Sequence, residues 1–333
     1  MATISDIAAR AGVSRALVSR VINGKSGVSP ETRAKIHAVM EELGYRPNSL
    51  ARSLALQRTQ TIGVVMDSLC FPFFFSLIYG LQATAEQLGY NILFCSGGSE
   101  ALLKSKYIDY FSSGRADGVI VYGSHVNDQP ILQSLADHND CFVLIEGNLP
   151  GAQINNLLVD NVMGAYRATE RLVQSGCRSI VHVAGDMDYQ VSRDRLEGFR
   201  RAMQEHSLPI NAASVIGADF TAQAGYEAMQ SMLGEGALPD GIFFGADRTA
   251  YGAMRALAEH GIRSPDDIAL IGFDDDAPPS WAGQYPALST MRQPLYDLGV
   301  DSVRLLVQTI EDPQREKVVR MYEPELVIRE TCP

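Results

Sequence analysis

The stretch "GVSRALVSRVING", residues 12–24, decides how the first part of the chain folds. Gly12 permits a sharp turn, and the side chain of Ser14 can cap a helix that begins directly after it. The inward face of this helix holds the apolar residues Leu17, Val18, Val21 and Ile22 at helical spacing. The outward face holds Arg15, Ala16, Ser19 and Arg20. The stretch therefore predicts a short helix whose outer face is small, polar and cationic, as entry into a DNA groove requires.

Helical patterns lie on both sides of this stretch. Thr3 can cap an earlier helix, whose apolar positions are Ile4, Ile7, Ala8 and Ala11. Ser29 can cap a later one that has Pro30 at its first position and ends at Gly44. Its apolar positions are Ile36, Val39, Met40 and Leu43. Two short helices joined by a tight turn, with a third that closes the core, are the helix-turn-helix architecture, although a generic three-helix bundle fits the pattern too.

Charge is unevenly divided along the 333 residues, whose net charge is -11. Residues 1–60 contain nine Lys or Arg and four Asp or Glu, a net charge of +5, so the remainder carries -16. A basic segment on an acidic body favours a polyanionic partner for that segment alone, although a solvated charged face would have the same composition.

The stretch "YRPNSLARSLALQRTQT", residues 45–61, has the character of a linker. Pro47 prevents a preceding helix from continuing, and Asn48 can cap a new helix of two turns. A helix this short is marginal because isolated helices below about 12–15 residues are poorly stable in water. We expect a segment that folds when a partner holds it; an ordinary interdomain linker is the alternative.

From residue 61 the sequence changes to apolar runs that alternate with helical stretches. The runs are "TIGVVM", "NILFCS", "GVIVYG", "CFVLIE", "SIVHVAG", "SVIGAD", "GIFFGA" and "IALIGFD". Near-continuous apolar strands between helices indicate the buried parallel sheets of an α/β protein. The units group into two sheet domains, one over residues 61–160 and one over residues 161–289.

Patterns of catalysis, metal binding and membrane insertion are missing from the sequence. It has no G-x-G-x-x-G after the first strand, no G-x-S-x-G, no H-E-x-x-H and no carboxylate cluster at metal spacing. "NGKSG", residues 23–27, is not a phosphate-binding loop because Ser19 stands where that motif needs glycine, and a helix precedes it. We expect no catalytic residue, cofactor or metal. Five scattered cysteines, no bilayer-length apolar run and no secretory signal pattern lead us to expect a reduced, cytoplasmic protein without membrane contact.

Seven stretches, in order, carry a resemblance to a known family. They are "ISDIAARAGVSRALVSRVING", "VSPETRAKIHAVMEELGYRPNSLARSL", "TIGVV", "VDNVMGA", "RLEGFRRAM", "DIALIGFDD" and "LSTMRQP". Over essentially its full length the chain resembles transcriptional repressors of the lactose-repressor (LacI) family. The resemblance implies an all-α helix-turn-helix head, residues 1–46, a hinge helix and linker, residues 47–60, and an α/β core of two doubly wound parallel-sheet subdomains like a type I periplasmic sugar-binding protein.

The same resemblance divides the core and implies its partners. We expect a first subdomain of residues 61–160 and 290–325, a second of residues 161–289, and a C-terminal tail of residues 326–333. The partners implied are near-palindromic operator DNA, a second copy of the chain, and a small-molecule effector between the subdomains. Because no leucine heptad follows "ELVIRE", we expect a homodimer and not a tethered tetramer.

The resemblance also implies which residues contact DNA. Arg15, Ala16 and Arg20 match the family's base-reading positions; the arginines would donate to guanine edges or phosphates, and Ala16 could contact a thymine methyl group. Leu54 matches the hinge leucine that wedges between base pairs in the minor groove, on a helix that Arg52 would anchor to the backbone. The full predicted set is Ser14, Arg15, Ala16, Ser19, Arg20, Asn23, Ser29, Asn48, Arg52 and Leu54.

For the effector, the resemblance implies the crevice where ligands of open α/β sheets bind. The matching residues are Phe73, Phe74, Glu146, Arg195, Phe220, Asp247 and Asp274. Core packing is an equally good interpretation of Phe74 and Phe75, and an internal ion pair is the alternative for Arg195; otherwise Arg195 and Asp274 would meet the ligand in a solvated cleft. Aromatic faces, a bidentate arginine and carboxylates suit a sugar or sugar acid, and they also suit a purine stacked on phenylalanine.

Two positions depart from the family pattern. Ala246 precedes Asp247 where asparagine is common, and Gly147 follows Glu146 where a basic residue is frequent. A polar contact is missing at each, so the resemblance does not identify the effector. We expect a sequence-specific transcriptional regulator, a repressor by resemblance, that responds to a sugar or sugar derivative. The alternatives are a purine-responsive regulator of the same family and a cytoplasmic sugar-binding protein without a role in gene regulation.

Overall fold

The computed structural model describes residues 2–22, 26–45, 58–98, 100–123, 125–138, 141–147, 149–236 and 238–333. The chain divides into two compact units, Met1–Thr59 and Gln60–Pro333. None of the described helices combines the length and the apolar character that a membrane span needs.

The first unit holds three helices, which are α1 Ile4–Ala11, α2 Arg15–Ile22 and α3 Pro30–Glu42. Thr3 and Asp6 form a reciprocal capping box at the start of α1, and Gly12 ends that helix in the left-handed conformation, with φ at +65°. The side chain of Ser29 accepts the Thr32 backbone N–H at 3.2 Å and so caps α3. Apolar side chains from all three helices form one core, which confirms the predicted helix-turn-helix fold.

The second unit alternates strands and helices. Its strands are β1 Thr61–Met66, β2 Asn91–Ser96, β3 Gly118–Tyr122, β4 Phe142–Ile145, β5 Asn155–Val159, β6 Ile180–Ala184, β7 Val215–Gly217, β8 Gly241–Phe244, β9 Ala269–Ile271, β10 Thr290–Arg292, β11 Val319–Tyr322 and β12 Glu325–Val327. Its α-helices are α4 Phe75–Gln87, α5 Ala101–Ser112, α6 Gln129–Asp137, α7 Asn161–Gln174, α8 Gln190–Glu205, α9 Ala222–Glu235, α10 Asp247–Glu259 and α11 Leu295–Glu311.

The strands form two parallel sheets, as the apolar runs predict. The first has the order β11-β5-β4-β3-β1-β2 and the second the order β7-β6-β8-β9, and every strand pair within them is parallel. Buried apolar clusters lie against both sheets. The carboxyl ends of their strands therefore provide two edges at which a ligand crevice can form.

The last part of the chain divides differently from the expected boundaries. β11 joins the first sheet beside β5, whereas β10 pairs antiparallel with β12. Met291 and Cys332, both fully buried, belong to the apolar core of the second sheet. The backbone N–H of Leu270 donates to the Thr331 carbonyl at 3.0 Å, so the expected tail, residues 326–333, supplies a partner for β9. An unpaired sheet edge is unfavourable, which explains why this segment packs there.

Candidate functional site

The outer face of α2 carries the side chains that the sequence predicts for DNA contact. Arg15, Ala16 and Arg20 are exposed and Ser19 is half-buried, while Val18 on the opposite face is completely buried. Ser14 and Ser29 are exposed, and each side chain accepts a backbone N–H at a helix start. The remaining predicted DNA contacts, Asn23, Asn48, Arg52 and Leu54, lie outside the described residues.

A cleft of about 280 Å³ lies at the carboxyl ends of strands from both sheets. The first sheet contributes Asp67, Phe71, Phe73, Phe74 and Tyr122. The second contributes Asp186, Tyr189, Val191, Arg195, Asp219, Phe220, Thr221, Ala246, Arg248 and Asp274. Each group directly ends or follows a parallel strand, or lies at the start of the helix after it, which is where open α/β sheets bind ligands. Five of the seven predicted effector residues, Phe73, Phe74, Arg195, Phe220 and Asp274, are in this wall.

Arg195 and Asp274 are held by a buried hydrogen-bond network. Nε of Arg195 donates to Asn161 Oδ1 at 2.9 Å, and its Nη1 lies 3.4 Å from Asp274 Oδ1. Gln293 Nε2 also donates to that Asp274 oxygen, at 2.7 Å. The guanidinium lies 3.8 Å from the centre of the Phe273 ring. Arg195 is only 4% exposed, so the expectation of a solvated arginine is wrong: most of its donors are used inside the wall.

Glu146 and Asp247 differ from the predicted effector contacts because their carboxylates face inward. Glu146 accepts the backbone N–H of Val159 and, at 2.8 Å, the side-chain amide of Asn161. Asp247 accepts the Thr290 hydroxyl at 2.7 Å and a backbone N–H at 2.9 Å. Burial raises the pKa of Glu146 to about 7 and raises the pKa of Asp247 well above its ordinary value. Both residues lie behind the cleft wall and hold together the segments that form it.

Aromatic side chains from both sheets face the cleft. Phe74 is buried, with its ring centre 5.1 Å from that of Tyr122, so it serves both the core and the wall. Phe75, for which core packing fits the sequence equally well, is instead 57% exposed because α4 turns it outward. Phe220 packs edge-on against Tyr189 at 5.6 Å.

Several cleft residues were not predicted from the sequence. They are Asp67, Phe71, Tyr122, Asp186, Tyr189, Val191, Asp219, Thr221, Ala246 and Arg248. Asp67 and Arg248 had a usable signal, since the first directly follows an apolar strand and the second follows a predicted site residue. Arg248 lies with its guanidinium carbon 4.2 Å from the centre of the Phe71 ring, a cation–π contact between the two walls.

Comparison with known proteins agrees with this arrangement. Residues 3–48 match the family model of bacterial regulatory proteins, lacI family, and residues 169–332 match that of a periplasmic binding protein-like domain. The chain is 32% identical over 333 residues to the HTH-type transcriptional repressor PurR of Photobacterium profundum. The alignment covers 99% of this chain and 98% of that protein. The chain belongs to the lacI family of bacterial regulatory proteins.

Solved structures show the same lacI-family architecture. The lac repressor dimer bound to operator and the anti-inducer ONPF is 29% identical, covers 99% of each chain and has a TM-score of 0.88. The complex of the transcriptional regulator CelR with cellobiose is 30% identical, covers 99% of this chain and 100% of the other, and has a TM-score of 0.73. The predicted family, fold class and role as a DNA-binding transcriptional regulator are confirmed.

Proposed function

We propose that this lacI-family protein binds near-palindromic operator DNA as a homodimer, and that a sugar or related polyhydroxy compound in the cleft controls its affinity for that DNA. The cleft carries the proposal: aromatic rings and buried hydrogen-bonding groups from two sheets converge on one cavity. A structural relative that is a dimer on operator DNA supports the first part, and one that binds cellobiose supports the second. Such a protein acts where the chromosome is, so we also propose a cytoplasmic, non-enzymatic role.

On the DNA side, α2 supplies the contacts. Arg15 and Arg20 would donate to guanine edges or to phosphates, and Ala16 would approach a thymine methyl group. All three are on the exposed face of α2, and the neighbouring face is fixed in the core by Val18 and Val21. Leu54 is proposed as the wedge that kinks the operator at the minor groove.

On the effector side, Arg195 and Asp274 would hold ligand hydroxyls, and phenylalanines would cover the ring. Asp274 keeps one carboxylate oxygen for a ligand, since Gln293 and Arg195, its side-chain partners in the described part of the chain, both contact Oδ1. Glu146, Asn161 and Asp247 act as positioning residues behind the wall.

The experiment combines a ligand screen with operator binding. Operator fragments are selected from genomic DNA with the full-length protein, and sugars and purines are screened by thermal shift. We expect a sugar to raise the melting temperature and to change operator affinity in a gel shift. A sugar that stabilises the protein and leaves DNA binding unchanged would favour the alternative of a sugar-binding protein without regulatory role.

A purine effector is the second candidate. Phe73 and Phe220, from opposite walls of the cleft, could stack on a base. The same screen decides between the two classes, because a purine that alone stabilises the protein would replace the sugar in this proposal.

A further inference from the structure

A buried lysine lies directly behind the first-sheet wall of the cleft. Lys104, on α5, is 1% exposed, and its Nζ lies 2.5 Å from Asp67 Oδ1 and 2.8 Å and 3.0 Å from the carboxylate oxygens of Asp128. The backbone makes room for these three side chains, the Lys104 cluster, at two glycines. A Cβ at Gly97 would lie 2.5 Å from Lys104 Cγ, and one at Gly123 would lie 2.7 Å from Asp128 Oδ2.

The charges within the Lys104 cluster do not cancel. A buried ammonium needs a counter-ion, and one carboxylate is sufficient. Asp128, itself buried, meets that need with both of its oxygens. Asp67 adds a second negative charge and is the member of the cluster that lines the cleft, with its side chain 16% exposed. A structural ion pair alone therefore does not account for Asp67.

Asp67 also faces the opposite wall of the cleft. Tyr189, from the second sheet's side, lines the same cleft, and burial together with the nearby Asp67 carboxylate raises the pKa of its hydroxyl. A carboxylate has about four lone-pair sites, so the contact with Lys104 leaves capacity for another donor. The two arginines of the wall lie against other partners than Asp67: Arg195 contacts Asn161 and Asp274, and Arg248 lies on the Phe71 ring.

We propose that Asp67 is a specificity-determining residue that accepts a hydrogen bond from a hydroxyl or ammonium group of the effector. Lys104 is the positioning residue that holds the Asp67 carboxylate in place. This assignment rests on the proposed effector function of the cleft and narrows its ligand class. The effector is a neutral or cationic polyhydroxy compound, because a phosphate or carboxylate at the same place would meet a fixed negative charge.

The test uses full-length protein and two sets of probes, built on glucose and on galactose. Each set contains the neutral sugar, its 2-amino derivative, its uronic acid and its 6-phosphate, and calorimetry gives the affinities. We expect the neutral or amino member to bind at least about tenfold more tightly than the anionic members. Asp67→Asn should lower the affinity for that member about tenfold, because a charge-assisted hydrogen bond is lost. The difference in affinity between that member and the anionic members should become smaller. Asp109→Asn, an exposed carboxylate on α5, is the matched control and should change neither quantity.

A double variant tests the positioning role. Lys104→Met with Asp128→Leu replaces the buried ion pair by apolar groups, a change that folded proteins often tolerate. We expect the variant to fold with a lower melting temperature, because Asp67 loses its counter-ion, neutral-sugar affinity to fall about tenfold and the neutral-to-anionic ratio to change. Anionic members that bind the wild type as tightly as neutral ones, or ratios that both variants leave unchanged, would overturn the assignment of Asp67. Binding of no member of either set would overturn the proposed sugar effector, and the assignment with it.

Discussion

Arg195 directs its guanidinium to partners inside the protein. Because it is 4% exposed and pairs with Asp274, Arg195→Ala leaves a buried carboxylate without its counter-ion. The free energy of unfolding should fall by about 3–5 kcal/mol, the usual cost of breaking a buried pair. Denaturant unfolding measures this, and Arg201→Ala, an exposed residue of α8, is the control. Equal stability of the two variants would show that the hydrogen-bond network around Arg195 does not stabilise the fold.

Asp274→Asn should separate ligand binding from stability. The amide keeps the shape of the side chain, and its oxygen still accepts the hydrogen bond that Gln293 donates at 2.7 Å. Loss of the charge should lower affinity for the effector about tenfold or more, because charge-assisted hydrogen bonds are the stronger ones. Calorimetry with the sugar found in the screen checks this. Unchanged affinity would remove Asp274 from the ligand site and leave it as part of the wall.

The pH dependence of stability should also depend on Asp274. Burial raises the pKa of its carboxyl to about 7, although Arg195 acts in the opposite direction. The unfolded chain has a pKa of about 3.9 there, so the folded state binds this proton more tightly. The contribution of this proton to the free energy of unfolding is fully present below about pH 4 and is lost as pH rises through about 7. Asp274→Asn should remove a slope of up to about 1.4 kcal/mol per pH unit between those values, measured by denaturant unfolding. Parallel curves for variant and wild type would contradict the raised pKa.

Residue by residue, strand ends were predictable and hydrogen-bond partners were not. Phe73, Arg195 and Asp274, which the family resemblance implied, line the cleft because parallel strands bring their carboxyl ends to one edge. Glu146 and Asp247 also follow strands, yet they turn inward because donors more than ten residues away along the chain capture their carboxylates. Contacts of that kind depend on the folded arrangement and leave no local pattern in the sequence.

Among the elements, helices α9 and α10 pack closely against each other, and a glycine on each helix faces the backbone of the other. A Cβ at Gly225 would lie 1.9 Å from the Thr249 carbonyl oxygen, and one at Gly252 would lie 1.7 Å from that of Ala222. Gly252→Ala should therefore destabilise the protein by about 1–3 kcal/mol, because the new methyl group would clash with the Ala222 backbone unless one of the helices moved. Denaturant unfolding gives the value.

Gly234→Ala, also on α9, is the matched control for this packing. No described atom lies within 4 Å of a Cβ at Gly234, so alanine should be neutral there or stabilise the helix by up to about 1 kcal/mol. If both alanine variants changed stability equally, close packing of the two helices would not explain the glycine at 252.

The strands that the sequence predicted are the ones with apolar runs, from β1 to β4 and from β6 to β9. β5, "NNLLV", was missed because it begins with two asparagines, a residue type depleted in strands. In the structure Asn155 donates to Thr309 Oγ1 at 3.0 Å and Asn156 to the Gly147 carbonyl at 2.9 Å, so tertiary partners accept a hydrogen bond from each amide nitrogen. β11 was missed as well, because it lies at a sheet edge and its Val319 is 65% exposed, without a buried apolar run.

For the whole molecule, charge is divided in the way that DNA binding requires. Residues 1–60 carry a net charge of +5 and the remainder carries -16. An acidic body disfavours non-specific association with a polyanion, so binding depends on the basic segment that contains α2. The operator contact should accordingly be electrostatic in large part and sensitive to salt.

Operator affinity should fall steeply as salt rises, by about 0.9 in log affinity per unit of log salt for each phosphate neutralised. Fluorescence anisotropy titrations of an operator duplex over a salt series give this slope. Arg15→Ala and Arg20→Ala then show whether each arginine contacts a phosphate or a base. Loss of a phosphate contact lowers the salt slope by about 1, whereas loss of a guanine contact relaxes sequence preference and leaves the slope unchanged. Arg201→Ala, outside the basic segment, should alter neither quantity. Binding that does not change with salt would mean that the exposed arginines of α2 do not face the DNA.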